Sequence, residues 1–157
     1  MVSKLVEEHG FTVQTEPLRW NVASVQSDKN VAQVRSFFPT DSRPFWVLGN
    51  SFGNRVICEM LAAGQLPVNC LGCLFLGYPL YGEKNDAKRL DSLQRIPKNV
   101  KCIFISRSLD EYLHRDFCAV KGAALMEQTV SRLGLSAAQL HVIENGTHGG
   151  FFFRLRV

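Results

Sequence analysis

The sequence has no apolar run of the roughly eighteen residues that a membrane-crossing helix needs. Its opening, Met1-Val2-Ser3-Lys4-Leu5-Val6-Glu7-Glu8, turns acidic before any stretch with the length of a secretion signal. These two absences predict a protein of the cytoplasm or nucleus with no membrane partner. There is also no dense basic block. The 18 Lys and Arg are scattered, and the net charge is only +4, so a solvated cationic surface is expected and a nucleic-acid partner is not. An even cysteine framework is missing too: the chain has 5 cysteines in 157 residues and needs no staples at that length, which predicts reduced thiols. Cys70 and Cys73 form a Cys-x-x-Cys pair, but no second pair or nearby histidine completes a metal site. In a regular strand, residues three apart face opposite sides, so these two thiols are expected to point apart. No internal repeat and no low-complexity tract occurs.

What is present is an ordinary globular composition, 46% hydrophobic and 20% charged, sized for one domain spanning residues 1–157 with its own core. Four short apolar runs have the length and residue types of buried parallel strands: Phe45 to Leu48, Leu71 to Leu76, Cys102 to Ile105 and Leu140 to Ile143. Helical spacing falls between them. Val56, Ile57, Met60 and Leu61 mark one helix, with Gly64 as its stop; Val120 to Leu133 marks another, stopped by Gly134. A further helix is expected to start near Ser27 or Asp28, ahead of Val31, Val34 and Phe37. Upstream, His9-Gly10 reads as a helix end and Phe11 to Val13 as one more strand. Alternating strands and helices imply an α/β fold with a mostly parallel sheet, flanking helices and right-handed crossovers.

Gly49-Asn50-Ser51-Phe52-Gly53 fits the pattern G-x-S-x-G. The pattern alone is weak in a chain with 12 glycines. Its position between a buried strand and a helix gives it meaning, because a sharp strand-to-helix turn projects the middle hydroxyl and needs small neighbours. Order along the chain then supplies partners. In a parallel sheet the loops that follow strands emerge at one edge, where ligands bind. Ser51 follows the first strong strand, Asp110 the third and His148 the fourth, so all three are expected at the same edge. Neutral His148 would take the proton of Ser51, Asp110 would fix the imidazole tautomer, and the backbone N–H of Phe52 would donate to an oxyanion. No metal and no cofactor is called for. Competing assignments stand beside these. Ser51 fits a plain helix cap, and Glu111 and Glu144 rival Asp110. His114 rivals His148, while His9 precedes a strand and His141 lies inside one. Cys58 reads as a small buried hydrophobe.

With these residues the chain resembles the α/β-hydrolase superfamily. It is most similar to the dienelactone-hydrolase-related branch that contains testis-expressed protein thirty and the third subunit of the non-specific-lethal chromatin complex. The likeness rests on residues 49–55, 77–80 (Gly-Tyr-Pro-Leu), 105–111 and 143–148 (Ile-Glu-Asn-Gly-Thr-His). It implies a serine hydrolase acting on a small ester, thioester or amide, with Tyr78, Pro79 and Leu80 lining the substrate mouth. It also admits a non-catalytic interaction domain that binds a protein partner. Two departures stand out: Arg107 occupies a place usually held by glycine, and the family's opening strands with their His-Gly loop have no counterpart. The expectation is therefore a partial α/β-hydrolase fold lacking the N-terminal strands and the closing C-terminal helix, as in a partial gene product.

Overall fold

The computed structural model describes Arg19, Asn21, Ser24, Val25 and residues 27–82, 89–113 and 119–148. The expected strand at Phe11 to Val13, the helix end at His9-Gly10, His114 and the closing run from Phe151 to Val157 lie outside these residues. In chain order the elements are α1 (Asp28–Arg35), β1 (Phe45–Asn50), α2 (Phe52–Ala62), β2 (Cys70–Leu76), α3 (Asp91–Gln94), β3 (Cys102–Arg107), a 3-10 turn (Glu111–Leu113), α4 (Ala119–Arg132) and β4 (Ala138–Ile143). The four strands form one sheet in the order β1-β2-β3-β4, every neighbouring pair parallel. Four parallel strands in one sheet with flanking helices give the α/β architecture that the alternation of elements implies.

Local chemistry accounts for the element ends. Ser27 caps α1, its hydroxyl accepting from the Asn30 N–H at 3.3 Å, and Asp28 places a negative charge in the first turn. Beyond α2 and α4 the chain turns away at Gly64 and Gly134, which hold φ of 64° and 61°. Those values sit in the left-handed region that glycine enters at least cost.

The core lies on one face of the sheet. Val47, Cys73, Phe75, Cys102 and Phe104 pack there against Ile57, Cys58 and Leu61 of α2 and Met126 and Val130 of α4. Phe75 and Phe104, on adjacent strands, bring their ring centroids to 5.0 Å. The apolar runs predict strands buried on both faces. On the opposite face, however, Leu48 is 52% and Ile143 44% exposed, and β4 is only partly buried along its length.

One expectation is corrected. Cys70 and Cys73 do not point apart. Phe45 pairs with Cys70 but Trp46 pairs with Gly72, so Leu71 is an extra residue on β2, a β-bulge. Register partners share a face, and Phe45 and Val47 share theirs by alternation. Cys70 and Cys73, opposite Phe45 and Val47, therefore point to the same side, into the core.

Candidate active site

The turn from β1 into α2 is built by close approach. A Cβ on Gly49 would sit 2.6 Å from Asn54 Oδ1 and 2.9 Å from Asn54 N, so only glycine lets the first turn of α2 pack back on the strand. Asn54, fully buried, donates from Nδ2 to the Leu76 carbonyl at 2.7 Å, and the same oxygen accepts from the Ser51 N–H at 3.0 Å. The turn is thus tied to the C-terminal end of β2. At its apex Ser51 has φ 48° and ψ −112°. That is a conformation costing a non-glycine residue roughly 1–3 kcal/mol, held only because the surroundings over-determine it. Ser51 occupies the cap position of α2, yet its side chain makes no capping hydrogen bond. The plain-cap assignment therefore fails on geometry.

The Ser51 hydroxyl points instead to His148, with Oγ 2.7 Å from Nε2. On the far side of the ring, Nδ1 lies 3.0 and 2.9 Å from the two carboxylate oxygens of Asp110. A carboxylate only accepts, so Nδ1 carries the proton and the neutral ring accepts from Ser51 through Nε2. Asp110 is fully buried, and its Oδ1 also accepts the Tyr112 backbone N–H at 2.9 Å. Burial without competing water strengthens each of these bonds. The three side chains expected at one sheet edge are thus brought into a single hydrogen-bonded chain.

Two loops hold the acid and the imidazole together. The Ser108 N–H donates to the Ile143 carbonyl at 3.0 Å, the Leu109 N–H to the Gly146 carbonyl at 2.9 Å, and the Asn145 N–H to Ser108 Oγ at 2.8 Å. Arg107, 5% exposed, runs along Gly146 and donates from Nη1 to the Thr147 carbonyl. A Cβ on Gly146 would lie 2.8 Å from Arg107 Cδ, so the arginine stem fills the space that this glycine leaves. Burial pulls the Arg107 pKa down, against the opposing pull of the nearby Asp110 charge. The Tyr112 ring lies beside the imidazole, tilted 51° to it, with centroids 4.4 Å apart.

Neither rival acid touches the ring: Glu111 accepts the His148 backbone N–H at 3.3 Å, and Glu144 is exposed. His141 lies exposed in β4, and Cys58 is buried, which raises its thiol pKa well above the ordinary value. The residues expected at a substrate mouth lie against the core. Tyr78, Pro79 and Leu80 are all buried, Tyr78 and Leu80 within the core cluster. The Tyr78 hydroxyl is spent on the Arg89 carbonyl at 3.1 Å, and burial raises its pKa.

Sequence reasoning missed Tyr112 and the structural parts of Asn54 and Glu111, and marked Arg107 only as a departure. A signal existed for Asn54, which follows Ser51 at the start of the helix. For Arg107 none did, because its partner is a carbonyl forty residues on.

A parallel sheet with a strained serine between strand and helix defines an α/β-hydrolase type of domain. Residues 13–149 match the family described as the alpha/beta hydrolase domain, and the chain belongs to that family. Among solved structures, the chain is similar to TT1662 from Thermus thermophilus at 19% identity and a TM-score of 0.48, over 67% of this chain and 47% of that one. The chain thus spans about half the length of that protein. Among curated proteins no match is found.

Proposed function

We propose that this chain is a serine hydrolase for small esters, thioesters or amides, with Ser51 as nucleophile, His148 as general base and Asp110 as the orienting carboxylate. The observation that carries the reading is the 2.7 Å contact from Ser51 Oγ to His148 Nε2, made by a serine held in strain with no cap to form. In the reaction His148 removes the hydroxyl proton as Oγ attacks the acyl carbonyl, and Asp110 stabilises the imidazolium that results. In this reading the Phe52 backbone N–H, at the start of α2, donates to the oxygen on which charge develops, with the helix dipole in support. His148 then protonates the leaving group. Water, activated by the same imidazole, releases the acid and restores Ser51.

On the motifs at 77–80 and 105–111 we further assign the chain to the branch containing testis-expressed protein thirty and the third non-specific-lethal complex subunit, as a single domain over residues 1–157. The test is turnover of short-chain chromogenic esters by the folded chain and by Ser51→Ala. Hydrolysis by the first and its loss in the second, at unchanged circular dichroism, supports the reading. Equal rates in the two would refute it.

A further inference from the structure

Among the described residues four thiols stand outside the site and gather on the core face of the sheet. Cys73 and Cys102 are register partners on β2 and β3, Cys58 reaches the same cluster from α2, and all three are buried. Cys70 packs against them at the N-terminal end of β2, the opposite sheet edge from Ser51, and is only partly buried. The bulge at Leu71 creates this arrangement: without the extra residue, strand alternation would turn Cys70 away from Cys73. With it, the two side chains share the core face of the strand, and the Cys70 thiol lies 3.5 Å from the Gly72 carbonyl oxygen. Among the described residues no group is placed to hold a metal ion, so the pairing is between thiols.

We propose that Cys70 and Cys73 form a peroxide-reactive dithiol that closes to an intramolecular disulfide. Cys70 is the member solvent can reach, so it reacts first. Its thiolate attacks hydrogen peroxide, the O–O bond breaks, hydroxide leaves, and Cys70 becomes a sulfenic acid. The Cys73 sulfur, losing its proton, then attacks the Cys70 sulfur; the S–O bond breaks, water leaves and the S–S bond forms. In sum, two thiols lose two electrons and two protons, and one peroxide becomes two waters. The surroundings divide the roles the same way. The neighbouring Cys73 thiol lowers the Cys70 pKa, while Cys70 and burial raise the pKa of Cys73. Cys102 is the rival partner for Cys73, because register neighbours lie about 4.8 Å apart, at the short end of disulfide reach. Both members of that rival pair are fully buried, so peroxide reaches neither of them before it reaches Cys70.

The test needs no ester turnover and is independent of the hydrolase reading. The folded wild-type chain is treated with hydrogen peroxide, its remaining thiols are alkylated, and tryptic peptides are mapped by mass spectrometry. The expected result is loss of two hydrogen atoms from the peptide covering residues 56–84, with the link at Cys70 and Cys73 and with Cys58 and Cys102 alkylated. The link should persist in Cys102→Ser and disappear in Cys70→Ser. A Cys73 to Cys102 link overturns the proposal. So does a Cys70 sulfinic acid beside an alkylatable Cys73, or a wild-type chain whose five thiols all stay alkylatable at a peroxide dose that oxidises a free cysteine peptide.

Discussion

Ser51 stores backbone strain for the position of its hydroxyl, and this separates two substitutions that both remove that hydroxyl. Glycine at position 51 relieves the φ of 48°, whereas alanine does not. Ser51→Gly is therefore expected to raise unfolding stability by about 1 kcal/mol over Ser51→Ala in urea titrations, with both variants inactive. Equal midpoints would mean that the turn is relaxed. Asp110→Asn keeps the shape of the acid but presents an amide to Nδ1, which favours the wrong tautomer. Turnover is expected to fall by about 10⁴-fold with little change in KM, by analogy with the same exchange in the protease triad. The loop after the third strand could be read as the place of the acid, with Glu111 left as a rival beside Asp110. What could not be read was that Glu111 serves a backbone N–H while Asp110 serves the ring, since adjacent carboxylates differ only in direction.

Elements legible in the sequence are those whose apolar residues repeat without interruption. The cores of all four strands and the α2 and α4 helices lie where the pattern puts them. Strand ends extend past the apolar runs, to Asn50 in β1 and Arg107 in β3, because parallel pairing continues through polar residues that hydropathy reads as loop. The four-residue α3 was not foreseen, being too short for a period to show. The bulge at Leu71 was equally hidden, since an extra residue leaves no mark in composition. The joint between the acid loop and the histidine loop makes its own prediction. Arg107→Ala removes the stem that packs on Gly146 and the donor to the Thr147 carbonyl. Ester turnover is expected to drop by up to about 10²-fold as the imidazole shifts, with Ser51→Ala as the inactive baseline. At the other joint, Gly49→Ala drives a Cβ into Asn54 and should cost about 1–3 kcal/mol of stability in urea unfolding.

For the whole molecule, the sheet supplies both cohesion and aim. Phe75 and Phe104 are fully exposed to neighbours and not to water, and each truncation to alanine is expected to cost about 3–5 kcal/mol. Their rings touch, so the double variant should lose less than the sum, by about 0.5–1.5 kcal/mol in a double-mutant cycle. Strict additivity would mean the two rings are independent. The same parallel order sends the loops after β1, β3 and β4 to one edge, and there a hydroxyl, an imidazole and a carboxylate meet. The most direct measurement of whether that meeting is reactive is covalent labelling of the folded chain by a fluorophosphonate probe, read by intact mass and peptide mapping. The account predicts one adduct, on Ser51, formed by the wild-type chain and lost in His148→Ala. Labelling that is absent from the folded wild type, or that proceeds equally well without the imidazole, would contradict it.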